Sequence, residues 1–205
     1  MLSNNSAASE GLPELACRAS DSALSRRLET HRDYLTILAR MQIGRGLQGK
    51  VDPADVVQET FVHAIRDMPQ FRGTSDQELT GWLRRILATR LAHLVRHFCG
   101  TQGRDVRLER ALQVELDRSS QLLDRGLVAP LSSPSQRAVR HEQATWLARA
   151  LERLPEDYRE VLVLHHLEEC AFPEVARRMG RSVEAVKKLW ARALARLKRS
   201  LGGAP

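Results

Sequence analysis

The stretch from Pro173 to Leu201, PEVARRMGRSVEAVKKLWARALARLKRSL, constrains the fold most, because it carries two helical periodicities broken by a single short turn. Val175, Ala176 and Met179 mark the inner face of a first helix. Gly180 then permits a sharp turn, since a residue without Cβ tolerates positive φ. Ser182 is suited to cap the next helix with its hydroxyl. Beyond it Val183, Val186, Trp190, Ala193, Leu197 and Leu201 recur at spacings of three and four, which makes one apolar stripe. At about 100° per residue, Arg181, Lys188, Arg192 and Arg199 gather on the opposite side, with Arg196 at its edge. The segment holds nine Lys and Arg against Glu174 and Glu184, a surplus equal to the +7 of the entire chain. Two apolar-striped helices around a Gly-Arg-Ser turn, with a basic outer face, predict a helix-turn-helix whose second helix enters a DNA major groove. A solvated basic C-terminal helix is the plainer alternative, since cations also suit a helix C-terminus.

No stretch of strand length alternates with period two, so the chain is expected to be all-α. The net charge of +7 over 205 residues points to a polyanionic partner, nucleic acid before an anionic membrane surface. No apolar run approaches the roughly 18 residues needed to span a bilayer, and no membrane insertion is expected. The N-terminus lacks a basic start followed by an apolar run, so no signal peptide is expected. Cys17, Cys99 and Cys170 are odd in number and far apart, which fits reduced thiols in the cytoplasm better than disulfides or a zinc site.

Residues 1–23, rich in Ser, Asn and Ala, are expected to form a flexible N-terminal tail. A helix is predicted over about Leu24–Gln42, with Leu24, Leu28, Tyr34, Leu35 and Leu38 inward, broken afterwards by Gly44, Gly46 and Gly49. Asp52-Pro53 starts the next helix: aspartate caps it and proline occupies the first turn. Val57, Phe61, Ala64 and Ile65 are expected on its buried face, and Asp55, Gln58, Glu59, Val62 and Arg66 outside. A long helix follows from Leu79 to Phe98, with Trp82, Leu83, Ile86, Leu87, Leu91, Leu94 and Val95 inward. Arg84, Arg85, Arg90 and Arg96 make it basic, with no acidic residue between Trp82 and Phe98. Phe71, Trp82 and Phe98 beside that surface suit unpaired bases, where stacking is worth about 1–3 kcal/mol per base. For Trp82 a core position is the stronger expectation.

Residues 100–135 form a linker, opened by Gly100 and Gly103 and closed by Pro130–Pro134. Arg107–Leu123 within it has helical periodicity through Leu108, Ala111, Leu112, Leu116 and Leu123. So long a stretch between periodic segments marks a domain boundary. Residues 136–201 then form a second domain: a helix over Gln136–Leu154 (Val139, Ala144, Leu147, Leu151, Leu154), another over Tyr158–Leu167, and the helix-turn-helix. The fold class is two small helical domains, 24–99 and 136–201, joined by a partly helical linker.

The sequence offers no motif for reaction chemistry. His93 and His97 are spaced i, i+4, but HLVRH lacks the glutamate of the zinc-protease motif and holds Arg96. His165 and His166 fall on different helix faces. There is no Gly-rich phosphate loop and no convincing nucleophile–base set. A binding protein without cofactor or metal is expected, not an enzyme.

Two blocks, taken together, resemble a known family. DPADVVQETFVHAIRDMPQFRG followed by GWLRRILATRLAHLVRHF is similar to the second conserved region of bacterial sigma-70 family factors. LPEDYREVLVLHHLEECAFPEVARRMGRSVEAVKKLWARALARLKRSL is similar to their fourth region. Order, spacing and small size resemble the extracytoplasmic-function (ECF) class, although the intervening stretch is longer than usual for it. The resemblance implies that Asp55, Gln58 and Glu59 dock on the β′ clamp helices of core RNA polymerase. It implies that Arg84, Arg85, Thr89, Arg90, His93, Arg96 and His97 meet the minus-ten promoter element. Arg181, Ser182, Glu184, Ala185, Lys187, Lys188, Arg192 and Arg196 would meet the minus-thirty-five element while their surroundings meet the β flap. It leaves room for an anti-sigma factor as a further partner. Thr89 stands where the family commonly has Asn, and His93 where it commonly has Asp. The usual run of arginines after this helix is thinned to Arg96-His97.

Two rivals remain. A helix-turn-helix transcription regulator that never docks on polymerase explains the C-terminal block but leaves Asp52–Phe98 idle. A DNA-cleaving enzyme such as a recombinase requires an acidic or nucleophilic cluster that the sequence does not offer.

Overall fold

The computed structural model describes residues 23–47, 50–99, 106–125 and 137–202. Met1–Ser20 with Cys17, and Gly49, Gly100, Gly103 and Pro130–Pro134, lie outside them, as does the side chain of Val139. Among the described residues the chain is helical and contains no strand.

The first predicted helix is two. α1 spans 23–29 and α2 spans Arg32–Leu47. The break falls at Thr30-His31, where the Thr30 hydroxyl donates to the Arg27 carbonyl at 2.7 Å and competes with the helical ladder. The backbone also tightens there, with His31 N–H donating to the Leu28 carbonyl. At its other end α2 runs through Gly44 and Gly46, where the sequence predicts a break. Glycine lowers helix propensity by about 1 kcal/mol, and tertiary contact of α2 with α3, α4, α5 and α6 outweighs that.

α3 spans Pro53–Asp67. Asp52 accepts from Ala54 N–H at 2.9 Å, and Pro53 opens the first turn. The buried face is Val56, Val57, Thr60, Phe61 and Ala64. Ile65, expected inside, is 47% exposed. The apolar stripe is rotated toward Val56 and Thr60, whose hydroxyl is satisfied by the Val56 carbonyl at 2.8 Å and can therefore be buried. A 3₁₀ turn, Met68–Gln70, leads to α4, Asp76–Cys99. α4 begins with a capping box. Ser75 Oγ accepts from Glu78 N–H at 3.2 Å, while the Glu78 carboxylate accepts from the N–H groups of Thr74 and Ser75 at 2.8 and 3.0 Å.

The helix foreseen in the connecting stretch is α5, Val106–Arg125. Leu116 and Leu123 are fully buried, whereas Ala111, expected beside them, is exposed. α5 lies against α4 and α2, and α6 (Arg137–Glu152) rests on both α2 and α5. α7, Glu156–Leu162, continues as a π-helical turn, Val163–Leu167. α8 spans Phe172–Met179 and α9 spans Val183–Gly202. α7, α8 and α6 all pack on α9.

Candidate nucleic-acid and polymerase interfaces

The C-terminal site follows from its turn. Gly180 sits at φ 64°, ψ 33°, a left-handed conformation that a Cβ would strain. Ser182 Oγ accepts from Ala185 N–H at 3.2 Å and caps α9. Val186, Ala193 and Leu197 are buried, with Val183, Trp190 and Leu201 partly so. That burial turns Arg181, Ser182, Glu184, Ala185, Lys187, Lys188, Arg192 and Arg196 to the outside together. Arg181 is steadied by Asp157 of α7 at 2.6 Å, and Lys187 pairs with Glu184 at 3.1 Å. Such exposed pairs contribute little to stability, but they limit where the side chains point.

Four aromatic rings fasten α9 to its support. Trp190 Nε1–H donates to His166 Nε2 at 2.9 Å, and the two rings lie near-parallel at 6.0 Å. His165 stacks on Phe172 at 4.2 Å and, through Nδ1, donates to the Cys170 carbonyl at 2.8 Å. The histidines thus serve different partners, although their rings are 5.0 Å apart. Burial, aided by the neighbouring His165, lowers the pKa of His166 below the ordinary histidine value and keeps it the neutral acceptor that the indole needs.

In the N-terminal half, α3 turns Asp55, Gln58 and Glu59 outward. Gln58 Oε1 accepts from Arg32 at 2.9 Å, and that guanidinium also lies 5.0 Å from the Phe61 ring centroid. Val62, 59% exposed, and Ile65 share this surface. Ile65 belongs to this face although periodicity assigns it to the core. A covered aliphatic and an exposed one have the same periodicity, and only the choice of Val56 for the core separates them.

The basic residues of α4 are not all on one surface. Arg85, His93 and His97 are exposed, with Thr89 and the half-buried Trp82 beside them. Trp82 meets Phe71 at a ring-centroid distance of 5.0 Å, so it is neither sealed in the core nor fully open. Gly73 lies directly under the Phe71 ring: a Cβ there would come 2.3 Å from Phe71 Cζ and 2.9 Å from Glu78 Cβ. Backbone N–H groups of Thr74 and Ser75 hold the Glu78 carboxyl below the usual carboxylate range, which keeps this loop charged at its base. Arg90 donates to His63 Nε2 of α3 at 2.9 Å.

Arg84 and Arg96 face elsewhere. Arg84 donates to Asp117 of α5 at 2.9 Å and to the Tyr34 hydroxyl at 3.2 Å, and its side chain is 20% exposed. Arg96 lies 3.5 Å from Glu109 of α5, with 14% exposed. No group of three or more metal-ligating side chains occurs among the described residues.

Two family models match the chain: Sigma-70 region 2 over residues 28–99, and Sigma-70, region 4, over residues 144–197. Among curated proteins it is similar to the ECF RNA polymerase sigma-E factor of Salmonella typhimurium (strain 14028s) and to that of Escherichia coli (strain K12). Each is 29% identical over 136 residues, 66% of this chain and 66% of the relative. It is also similar to the RNA polymerase sigma-H factor of Pseudomonas aeruginosa, 31% identical over 134 residues, 65% of this chain and 64% of the relative. The matched stretch therefore spans about two thirds of these relatives' length. Among solved structures, a flagellar sigma/anti-sigma complex, Sigma-28/FlgM, aligns over 91% of this chain and 99% of its own at 16% identity and TM-score 0.33. With α3 and α4 inside the region 2 match and the α8–α9 helix-turn-helix inside the region 4 match, the chain belongs to the sigma-70 family of RNA polymerase sigma factors, in its ECF subfamily.

Proposed function

We propose that the chain binds core RNA polymerase in the cytoplasm and directs promoter-specific initiation. The observation that carries this is the coexistence of the basic outer face of α9 and the exposed Arg85, His93 and His97 of α4 with an acidic, partly aliphatic face on α3. A duplex-binding regulator needs only α9. The face of Asp55, Gln58, Glu59, Val62 and Ile65 would dock on the β′ clamp helices, and the surroundings of α9 on the β flap. Arg85, Thr89, Arg90, His93 and His97, together with Arg84 and Arg96 once accessible, would meet the minus-ten element. Phe71 and Trp82 offer ring faces to unpaired bases. Arg181, Ser182, Glu184, Ala185, Lys187, Lys188, Arg192 and Arg196 would meet the minus-thirty-five element, where phosphate contacts set register and base contacts set sequence. Strand opening asks for binding alone, and RNA synthesis belongs to the polymerase. An anti-sigma factor would act by covering one of these surfaces. Run-off transcription with core polymerase and genomic promoter fragments tests the proposal. Defined start sites dependent on the chain are expected, and random starts, or no association with core, would reject it.

A further inference from the structure

The half-buried arginines of α4 are held by different chemistry. Arg84 and Arg96 meet carboxylates, those of Asp117 and Glu109, which offset their charge. Arg90 instead donates through Nη1 to Nε2 of His63, on α3, at 2.9 Å. A guanidinium has donors only, so this ring nitrogen carries no proton and the imidazole is neutral. The surroundings favour that state. Partial burial, and then the Arg90 and Arg66 guanidinium groups, lower the His63 pKa below the ordinary histidine value, while Asp67 and Glu59 pull more weakly the other way. Arg90 thus faces the ring from α4, and Glu59, Arg66 and Asp67 face it from α3. Arg66 is itself tied to the Asp67 carboxylate at 2.9 Å.

A neutral acceptor fixes a guanidinium without cancelling it. Arg90 keeps its full charge and has further donors for a phosphate oxygen. Arginine gives up much rotamer freedom when it grips a ligand, and a side chain already held in place gives up less. The position on α4 suits such a contact. At about 100° per residue Thr89, His93 and His97 form one row of the helix, and Arg90 stands at the edge of that row.

We infer that His63 is a positioning residue for minus-ten recognition: its Nε2 holds the Arg90 guanidinium at the rim of the α4 face, oriented and still charged for a backbone phosphate. This rests on the sigma-factor reading of α4, in which Arg90 touches DNA and His63 acts only through it. The plainer role is an interhelical bond that braces α3 against α4. Acidification tells the two apart. A protonated ring has no acceptor at Nε2 and repels Arg90, so the hold exists at neutral pH and is lost below the ordinary histidine value, about 6.5.

Holoenzyme assembled from core polymerase and the full chain is titrated with a fluorescein-labelled fork-junction DNA. The DNA carries the minus-ten element of a promoter defined by run-off transcription, and binding is read by anisotropy. At pH 7.5 His63→Leu is expected to weaken binding about threefold, by loosening one long side chain. His63→Gln, which returns an acceptor close to the place of Nε2, should restore it. In an Arg90→Ala background His63→Leu should cost nothing further, because the cycle isolates the pair. At pH 5.5, where His93 and His97 titrate in every variant, His63→Gln should bind about threefold more tightly than wild type. Equal affinities of wild type and His63→Leu, or equal losses with and without Arg90, overturn the positioning role. So does a wild type that gains on His63→Gln at low pH, since protonated His63 would then meet phosphate itself. Any of these results in a normal complex leaves the sigma reading standing; failure of the chain to join core polymerase overturns both. If His63→Leu does not fold, nitrogen NMR of the wild-type imidazole in the full chain decides. Nε2 is expected to be the unprotonated nitrogen at pH 7.5, and a proton found there overturns the hold.

Discussion

α4 and α9 are both long, basic and striped, yet the structure treats their cations differently. α9 has apolar neighbours on one side only, so its basic residues from Arg181 to Arg196 remain outside. α4 is contacted by α2, α3 and α5, and α5 brings carboxylates with it. A cation count along a helix predicts a nucleic-acid surface only where nothing acidic covers that side. The C-terminal helix keeps Lys188, Arg192 and Arg196 exposed, its Arg181–Asp157 and Lys187–Glu184 pairs lying in solvent, and the N-terminal one is partly occupied.

The largest effect is expected from removing the exposed cations of α9. Lys188→Ala with Arg192→Ala should weaken duplex binding by about 2–4 kcal/mol if each makes a base or phosphate contact. The log–log salt slope should shrink by about 1.8, or about 0.9 per phosphate lost. A footprint and slope identical to wild type at the minus-thirty-five element would remove α9 from the proposal.

The counterpart on α4 is Gly73→Ala. The added Cβ must displace the Phe71 ring or Glu78 at the capping box, a strain of about 1–3 kcal/mol. Minus-ten binding should fall while minus-thirty-five binding is kept. Equal losses at both elements would mean that the loop serves general stability instead of the Trp82 face.

Glu59→Arg, on the outer face of α3, should weaken association with core polymerase about tenfold, about 1.4 kcal/mol, and leave duplex binding by α9 untouched. Titration of labelled chain with core enzyme measures this, and an unchanged affinity would place docking elsewhere.

These differences explain what the sequence could and could not disclose. The α9 stripe, the Gly180 turn and the Ser182 cap were legible because each is a local rule: a period, a positive φ, a hydroxyl one residue before the helix. The Asp52-Pro53 start of α3 was legible for the same reason. The Arg84–Asp117 and Arg96–Glu109 pairs were not, since an antiparallel match between residues 33 and 13 positions apart leaves no periodic trace. Ile65 departs from expectation because Val56, Val57 and Ile65 compete for one stripe, and the packing of α3 on both α4 and α2 decides among them. The continuation of α2 past Gly44 likewise reflects partners that lie far along the chain.

Acidity offers a milder probe of the same contrast. His166 has its pKa lowered by burial and by His165, so the unfolded chain binds a proton more readily than the folded one. Its contribution to stability is therefore complete above the ordinary histidine value, near 6.5, and is lost as the pH falls below it. Protonated His166 can no longer accept the Trp190 indole N–H, so the contact between the π-helical turn and α9 loosens first. At His63 on the N-terminal side partial burial, and then the Arg90 and Arg66 guanidinium groups beside it, press in the same direction, but no indole depends on that ring, so the effect there should be smaller. Thermal melts of the full chain from pH 7.5 to 5.5, followed by tryptophan fluorescence, should show the α9 end weakening before α4. His166→Gln keeps an acceptor for the indole and cannot titrate in this range, so it should flatten most of that dependence. A variant that keeps the wild-type pH profile would show that the histidine–tryptophan pair does not fasten α9, and that the readiness of the recognition helix comes from its apolar stripe alone.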